Sequence, residues 1–318
     1  MRAVRVQSLD GPAGLVVADI PEPAGDGVVI DVHAAGVSFP DLLLCRGTYQ
    51  RKPELPFVPG VEVAGVVRDA PAGSGMAPGD RVAAFTRLGG WAETVVADPS
   101  LTFPLPDTLS MRGGAGILMN YLTAHLALTR RGGVRPDETV LVHGAAGGLG
   151  TAVVQVAAAL GARPVAVVST SDKAAVAREC GAVATVGTES WLAEVRSLFG
   201  EVDVVADPVG GDRFVDSLRV LRREGRLLVL GFAAGEIPSV PANRLLLKNI
   251  DVRGVAWGGL VEHEPDYPAR QWRELLGYVE SGRVRPVDGR TFPLEKAADA
   301  LCELDDRTAI GKITLTVR

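Results

Sequence analysis

The fold of this chain is decided by the stretch Val140-Leu141-Val142-His143-Gly144-Ala145-Ala146-Gly147-Gly148-Leu149-Gly150. Its apolar start predicts a buried strand, its small residues predict a tight turn, and the apolar periodicity that follows predicts a helix. A glycine-rich turn between strand and helix favours dinucleotide binding, because small residues let the backbone approach a pyrophosphate and the helix start presents unpaired N–H groups. The usual first glycine of this fingerprint is Ala145, whereas Gly147 and Gly150 keep the other two positions. The predicted pyrophosphate-binding residues are Ala146, Gly147, Gly148, Leu149 and Gly150.

Strands and helices alternate on the carboxyl-terminal side of this loop. Apolar strands are predicted at residues 164–168, 202–206, 226–230 and 250–255, with helices from Lys173 and around residues 214–221. Together with the strand that enters the loop, this alternation is typical of a doubly wound parallel sheet of about six strands. We therefore predict a Rossmann-type cofactor domain over residues 114–258.

The first 113 residues have a different pattern. Short valine-rich runs such as Val28-Val29-Ile30-Asp31-Val32-His33 are broken by Gly and Pro, which predicts a mostly antiparallel barrel. Beyond Trp257 a polar linker leads to a helix at 271–280 and a last strand at 312–317. The predicted division is a catalytic domain at 1–113, completed by 259–318, and the cofactor domain between them.

The end of the second strand of the cofactor domain predicts which dinucleotide is bound. An NAD enzyme usually has an Asp or Glu roughly 20 residues after the loop, against the ribose 2′-hydroxyl. This chain has Val168-Ser169-Thr170-Ser171-Asp172-Lys173 instead. Ser169, Thr170 and Lys173 can bind a 2′-phosphate, so we predict NADPH as the cofactor. Alternatively, Ser169 and Ser171 cap the helix that follows and Lys173 is solvated. Asp172 is the residue that argues against NADPH.

Composition excludes several classes of function. The 318 residues are 47% hydrophobic and 22% charged, with a net charge of −5, so no basic surface for nucleic acid is expected. The start, Met1-Arg2-Ala3-Val4-Arg5-Val6, is typical of an edge strand and not of a signal peptide, and no apolar run approaches the ~20 residues that span a bilayer. Three scattered cysteines make no disulfide framework. We expect a soluble cytoplasmic protein with no membrane or nucleic-acid partner.

Histidine and cysteine positions predict no metal site. The four histidines are His33, His125, His143 and His263, and the cysteines are Cys45, Cys180 and Cys302. No spacing among them matches a zinc site. His143 alternates with apolar strand residues, so we interpret it as a hydrogen-bonded core histidine rather than a catalytic base.

Ordered motifs along nearly the whole chain resemble those of the medium-chain dehydrogenase/reductase superfamily. They are Gly36-Val37-Ser38-Phe39-Pro40-Asp41, the run from Pro56 to Gly65, Gly79-Asp80-Arg81-Val82, Gly89-Gly90-Trp91-Ala92-Glu93, Thr123-Ala124, the glycine loop, the run from Asp203 to Gly211, and Gly311-Lys312. The resemblance implies a GroES-like catalytic domain beside the Rossmann domain. It also implies a homodimer formed through the apolar edge strand at 250–255.

Within that superfamily the chain resembles the zinc-free quinone oxidoreductase branch. The zinc alcohol dehydrogenases have a Cys ligand at the position of Ser38 and a His ligand at that of Val61. Gly231-Phe232 and Leu245-Leu246-Leu247-Lys248-Asn249 also resemble this branch. Two positions depart from it, since the branch often has Asn at position 38 and an Asn-Tyr pair in place of Gly187-Thr188.

The resemblance implies hydride transfer from NADPH to a quinone or an α,β-unsaturated carbonyl. Tyr49 corresponds to a proton donor or substrate anchor of related enoyl-thioester reductases, and Ser38 to a position near the nicotinamide or its ribose. Alternatively, Tyr49 is a partly buried loop aromatic and Ser38 is a turn residue, and neither has a role in catalysis. Asp41 and Glu62 are interpreted as residues that orient loops through hydrogen bonds. The cofactor contacts implied by resemblance are Ser38, Thr123, Gly231, Phe232, Trp257, Gly258 and Lys312.

Two alternative functions remain open from the sequence. An enoyl-thioester reductase would need basic residues for a carrier phosphate, and near Tyr49 only Arg46, Arg51 and Lys52 supply them. A non-catalytic NADPH-binding protein, of the crystallin or sensor kind, would share the fold and the glycine loop.

Overall fold

A computed structural model describes residues 1–318. The strands are β1 Arg2–Val6, β2 Leu15–Asp19, β3 Val28–Gly36, β4 Glu62–Asp69, β5 Arg81–Phe85, β6 Thr94–Ala97, β7 Thr102–Pro104, β8 Thr139–Val142, β9 Arg163–Val168, β10 Ala184–Gly187, β11 Val202–Asp207, β12 Leu221–Val229, β13 Asp251–Gly254, β14 Asp288–Pro293 and β15 Lys312–Thr316.

The α-helices are α1 Phe39–Cys45, α2 Met111–Gly114, α3 Thr123–Leu126, α4 Gly148–Ala159, α5 Ser171–Glu179, α6 Trp191–Phe199, α7 Arg213–Val220, α8 Ala242–Lys248, α9 Trp257–His263, α10 Tyr267–Glu280 and α11 Ala297–Asp305. Short 3-10 turns lie at Gly11–Gly14, Pro99–Leu101 and Leu294–Lys296, and π-helical segments at Leu118–Leu122 and Ala127–Arg131. None of these helices is long and apolar enough to cross a membrane.

The chain divides into two compact units. The amino-terminal unit comprises residues 1–120, 265–272 and 286–318, and the cofactor unit comprises residues 121–264 and 273–285. This division differs from the sequence-based boundaries mainly at residues 273–285, which lie in the cofactor unit. The reason is local packing, because the backbone N–H of Arg285 donates to Gln155 Oε1 on α4 (2.6 Å) and Arg283 donates to the carbonyl of Ala159 (3.3 Å).

The cofactor unit is built on a six-stranded sheet in the order β10-β9-β8-β11-β12-β13. Every neighbouring pair in it is parallel. The prediction of a doubly wound parallel sheet of six strands is therefore confirmed, and the order is that of the dinucleotide-binding fold. Its central strands are runs of fully buried Val, Leu and Ala, as expected of a sheet covered on both faces.

One strand differs from its predicted position. The sequence predicted a strand at 226–230 preceded by a helix to residue 221, but β12 begins at Leu221. Leu221 is fully buried and pairs with Val202, and the register then shifts so that Arg226 pairs with Val204. The polar residues between them are exposed, with a positive φ of 60° at Glu224. Their polarity hid the start of the strand in the sequence.

The amino-terminal unit contains a seven-stranded sheet in the order β14-β15-β3-β4-β5-β7, with β6 paired to β3. All pairs are antiparallel except β14 with β15. The predicted, mostly antiparallel arrangement is confirmed. The last strand, β15, pairs with β3 through residues 314–316, which puts the start of β15 beside the motif that follows β3.

Candidate functional site in two parts

The glycine loop links β8 to α4 as predicted. The left-handed φ of the turn, 58°, falls on Gly144, so the neighbouring Ala145 needs no glycine conformation. Ala145 is fully buried, and its N–H donates to the carbonyl of Val167 at 3.4 Å. This explains why alanine is tolerated where the fingerprint usually has its first glycine: the conformational demand lies one residue earlier.

The two retained glycines have separate roles. A Cβ on Gly150 would lie 2.1 Å from the carbonyl oxygen of Gly144, so Gly150 lets the first turn of α4 pack on the loop. A Cβ on Gly147, in contrast, would meet nothing closer than 3.6 Å, so this side of the loop is open to a ligand. Gly147 is the N-cap of the twelve-residue helix α4, whose first N–H groups have no intrahelical partner. The loop therefore fits a pyrophosphate.

The end of β9 carries the residues predicted to select the dinucleotide. Ser169 and Thr170 are exposed, and α5 begins at Ser171 with Thr170 as its N-cap. The Thr170 hydroxyl accepts the Lys173 N–H at 3.3 Å, so its own hydrogen stays available to a ligand. Lys173 is half-buried, and its pKa is lowered by that burial. Thr170 is thus the N-cap of α5. The alternative interpretation of the sequence, in which Ser169 and Ser171 cap this helix, is wrong in that respect.

Other predicted cofactor residues follow the carboxyl ends of neighbouring strands. Gly231 and Phe232 come after β12, in a segment whose Ala233 N–H donates to Pro208 O at 3.1 Å, beyond the end of β11. Trp257 is buried and begins α9, shortly after the end of β13 at Gly254, with Gly258 as the next residue. Because all six strands are parallel, these segments and the glycine loop lie at one edge of the sheet.

Three predicted contacts do not follow a strand of this sheet. Thr123 is buried at the start of α3 in the cofactor unit. Ser38 and Lys312 both lie in the amino-terminal unit.

Two buried polar residues lie where β8 and β11 end. His143 donates or accepts a hydrogen bond at 2.8 Å between Nε2 and Ser217 Oγ, while its Nδ1 has no partner. Burial lowers the pKa of His143 to about 3, so the ring is neutral. His143 is buried, as the interpretation as a core histidine required, but only one of its two ring nitrogens is hydrogen-bonded, because Nδ1 has no partner. Asp207 accepts the N–H groups of Val209 and Gly210 through Oδ1, and burial raises its pKa.

The amino-terminal unit holds a second group of candidate residues, at the start of α1. Ser38 is the N-cap of α1, and its N–H donates to Asp41 Oδ2 at 2.8 Å. The other oxygen of Asp41 accepts the N–H of Gly60 at 3.0 Å. Burial raises the pKa of Asp41 to about 7 against these two hydrogen bonds. Asp41 therefore orients the loops around Ser38, as the sequence indicated.

A buried ion pair reaches the Ser38 hydroxyl from across this unit. The ammonium of Lys312 donates to Glu62 Oε1 at 2.5 Å and to Ser38 Oγ at 2.6 Å. The side chains of Lys312 and Glu62 are 7% and 0% exposed. The second oxygen of Glu62 accepts the N–H of Met119 at 2.9 Å. Sequence reasoning assigned Lys312 to the cofactor and Glu62 to loop orientation, and it missed that the two residues form a pair.

Tyr49 lies beyond the other end of α1. It is half-buried in the turn that begins at Gly47, whose φ is 64°, and that is closed by Thr48 N–H donating to Leu43 O at 2.9 Å. The two predicted catalytic residues, Ser38 and Tyr49, therefore flank one seven-residue helix from opposite ends.

Two family models match this chain. A family model described as alcohol dehydrogenase GroES-like domain matches residues 24–107, and one described as zinc-binding dehydrogenase matches residues 148–277. Quinone oxidoreductase-like protein 2 of Rattus norvegicus is 40% identical over 305 residues, which cover 94% of this chain and 87% of that protein. The chain belongs to the zinc-free quinone oxidoreductase branch of the medium-chain dehydrogenase/reductase superfamily.

Solved structures of this superfamily superimpose on the whole chain. A probable oxidoreductase from Mycobacterium abscessus is 43% identical with a TM-score of 0.90, covering 100% of this chain and 99% of that one. Quinone oxidoreductase from Thermus thermophilus, whose structure was solved alone and with NADPH, is 35% identical with a TM-score of 0.88, covering 100% of both chains. The GroES-like and Rossmann architecture of this chain is thereby established.

The zinc in the name of one matching family does not fit the side chains of this member. No group of three or more His, Cys, Asp and Glu side chains is arranged to hold a metal ion. Around Ser38 and Val61, where zinc dehydrogenases have ligands, the carboxylate of Glu62 is already neutralised by the ammonium of Lys312, and the two oxygens of Asp41 accept the N–H groups of Ser38 and Gly60. A divalent cation there would have to displace the buried ammonium of Lys312, so these side chains do not fit a metal ion.

Proposed function

We propose that this protein is an NADPH-dependent reductase of quinones or α,β-unsaturated carbonyls. The observation that carries the proposal is the end of β9, where Ser169, Thr170 and half-buried Lys173 stand in place of the acid that recognises a 2′-hydroxyl. Hydroxyl donors and an ammonium group suit a 2′-phosphate, whereas a carboxylate would repel it. The T. thermophilus relative, solved with NADPH, supports the same cofactor.

The residues divide into those for the cofactor and those for the acceptor. The N–H groups at the start of α4 would hold the pyrophosphate, and the end of β9 would hold the 2′-phosphate. NADPH, when bound, supplies a hydride and becomes NADP⁺. The acceptor would gain the hydride with its electron pair, at the β-carbon in the case of an enone. The negative charge that develops on the acceptor oxygen would be neutralised by a proton from water or from Tyr49, which would regain a proton from solvent. Donors aimed at that oxygen lower the barrier.

An enoyl-thioester reductase is less well supported than a quinone or enone reductase. Of the three basic residues near Tyr49, Arg46 is engaged by Asp305, with bonds of 3.0 and 2.5 Å to the two carboxylate oxygens. It is therefore not free to bind a carrier phosphate.

The first experiment follows the loss of NADPH absorbance with a benzoquinone, a naphthoquinone, a linear enone and a crotonyl thioester, with NADH in parallel. A chelator is present throughout. Turnover of a quinone or an enone with NADPH is the expected result and identifies the acceptor class. Tight NADPH binding without turnover of any acceptor would instead favour a non-catalytic NADPH-binding protein, and preference for NADH would reject the interpretation of β9.

The 2′-phosphate site is tested by charge reversal. Lys173→Glu should weaken NADPH binding about 10- to 100-fold, the usual cost of a charge-assisted hydrogen bond, and change NADH binding about threefold or less. Arg178→Glu, later in the same helix and bonded to Thr185, is the matched control and should leave both affinities nearly unchanged. Equal losses for NADPH and NADH in Lys173→Glu would mean that the phosphate is bound elsewhere.

The role of the tyrosine is tested by removing its hydroxyl alone. Tyr49→Phe should lower kcat with enones about 100-fold or more, the usual effect of one proton donor, while NADPH affinity stays the same. Unchanged turnover would remove Tyr49 from the mechanism.

A further inference from the structure

Lys312 is an internal cation that the reaction as described above leaves without a role. We propose that Lys312 is a positioning residue for acceptor reduction: held by Glu62, it fixes the Ser38 hydroxyl and polarises it as a hydrogen-bond donor to the acceptor oxygen. This inference rests on the proposed function and replaces the cofactor contact that the sequence predicted for Lys312.

The stem of the lysine lies in a passage that only glycines leave open. A Cβ on Gly116 would lie 2.7 Å from Lys312 Cγ, and one on Gly36 would lie 2.9 Å from Lys312 Cε and 2.3 Å from the carbonyl oxygen of Ala115. The backbone of Lys312 is held as well, because its N–H donates to Val287 O at 2.9 Å. Both the stem and the backbone of this residue are therefore fixed, as a positioning role requires.

The charge of the ammonium is held by its carboxylate partner. Glu62 is completely buried, and both of its oxygens have hydrogen-bond donors, Lys312 Nζ at 2.5 Å and Met119 N at 2.9 Å. Separating the two side chains would leave two buried charges without compensation, which is strongly unfavourable. The Lys312 ammonium thus remains at Ser38.

The hydrogen of the Ser38 hydroxyl lacks a good acceptor. Ser38 Oγ accepts from Lys312 at 2.6 Å, and the acceptor for its own hydrogen is Glu62 Oε1 at 3.4 Å. Hydroxyl hydrogen bonds are normally about 2.5 to 3.0 Å long, so this one is weak. An acceptor carbonyl would be a better partner. The adjacent positive charge makes the hydroxyl a stronger donor and favours the negative charge that forms on that oxygen.

Three charged groups surround Ser38: the ammonium of Lys312 and the carboxyl groups of Glu62 and Asp41. Glu62 pairs with Lys312, and Asp41 contacts the Ser38 N–H. Burial raises the pKa of Asp41 to about 7, which opposes a second full negative charge beside Ser38. The donor at position 38 therefore faces one cation and one carboxylate that is already paired.

The first test measures polarisation at position 38 without any turnover. In a Ser38→Cys variant, thiolate formation is followed by ultraviolet absorbance against pH and compared with Ser38→Cys/Lys312→Met, with chelator present. Burial raises the pKa of Cys45 to about 12 and also raises that of Cys180, so neither interferes near neutral pH. Cys302→Ser serves as the common background. A neighbouring ammonium lowers a thiol pKa, so the lysine should lower this one by about one unit or more.

The second test separates turnover from cofactor binding. Lys312→Met should lower kcat about 10- to 100-fold, a fraction of the usual effect of an oxyanion donor, with the NADPH Kd changed about threefold or less. The double variant Glu62→Gln/Lys312→Met removes both charges and keeps the buried site neutral, so it should fold and show the same low kcat. Lys296→Met, an exposed lysine paired with Asp299, is the matched control and should have wild-type kinetics.

Gly116→Ala is a third variant that keeps every charge but pushes the lysine stem, and it should lower kcat in the same direction. The inference is overturned if the introduced thiol has the same pKa with and without Lys312. It is also overturned if the lysine variants lose NADPH affinity while keeping kcat. An absence of turnover in the unmodified protein would reject the proposed function alone, because the thiol comparison still decides whether Lys312 polarises position 38.

Discussion

The buried histidine beside the glycine loop gives a stability prediction that can be worked out from its surroundings. His143 is fully buried, and its Nε2 is hydrogen-bonded to Ser217 Oγ at 2.8 Å. Its ring packs edge-on against the ring of Trp191, with the ring centroids 4.9 Å apart. Burial, followed by the charge of Arg213, lowers its pKa from 6.5 to about 3. We predict that replacing His143 by glutamine, which can keep a hydrogen bond to Ser217, reduces the loss of unfolding free energy that the protein shows at acidic pH.

The sign and size follow from proton linkage. Between pH 3 and 6.5 the unfolded chain binds a proton at this histidine and the folded protein does not, so the free energy of unfolding falls as the pH is lowered through this window. Each pH unit inside it costs about 1.4 kcal/mol, and from pH 7 to pH 5 the histidine should account for a loss of about 2 kcal/mol. Below about pH 3 the loss levels off because the folded protein also binds the proton.

The assay is urea unfolding at pH 7 and pH 5, followed by circular dichroism and by tryptophan fluorescence, with coincident transitions as the test of a single cooperative step. His143→Gln should lose about 2 kcal/mol less than the unmodified protein between the two values. His263→Gln, an exposed histidine on α9, is the control and should keep the full pH dependence. An unaltered pH dependence in His143→Gln would refute the reasoning, because it would mean that this ring binds a proton in the folded protein.

Three further outcomes follow from the fold. Gly150→Ala puts a Cβ 2.1 Å from the carbonyl oxygen of Gly144 and should lower the unfolding free energy by about 3 kcal/mol. In Gly147→Ala the Cβ would lie 3.6 Å from the same oxygen, so this variant should lose under about 1 kcal/mol. Equal melting temperatures of the two variants would contradict this packing. Trp91→Phe leaves the buried carbonyl of Gly36 without its 3.0 Å donor and should cost about 2 kcal/mol in urea unfolding, and a loss near zero would exclude that bond as a stabilising contact. Because β13 is an edge strand, we expect two chains to pair there, and sedimentation equilibrium should give the mass of a dimer; a single-chain mass would reject the pairing.

The cofactor unit was predictable from local pattern. Its strands are apolar runs separated by helices of regular period, and the loop between β8 and α4 carries its glycines at fixed offsets, so periodicity and spacing were sufficient. The residues at the end of β9 were predicted as cofactor contacts from their position alone. What local pattern could not give was the detail of conformation: that Gly144 takes the left-handed φ, and that Thr170 is the helix cap.

The acceptor side was harder to predict because its contacts join distant parts of the chain. Lys312 and Glu62 are 250 residues apart, and no periodicity links a lysine at the start of the last strand to a glutamate at the start of β4. The pairing of β15 with β3 is what brings them together. The start of β12 at Leu221 was missed for a related reason, since an irregular register allows polar residues inside a strand.

The place of β15 in the sheet also has a consequence for synthesis of the chain on the ribosome. The strand is the last in the sequence, yet it lies inside the seven-stranded sheet, between β14 and β3. During translation β3 emerges early, and the edge that β15 will occupy stays open while nearly all of the remaining chain is made. A chain without β15 would leave residues 34–36 of β3 without their hydrogen-bonding partner, and an unpaired strand edge of this kind can pair with another chain.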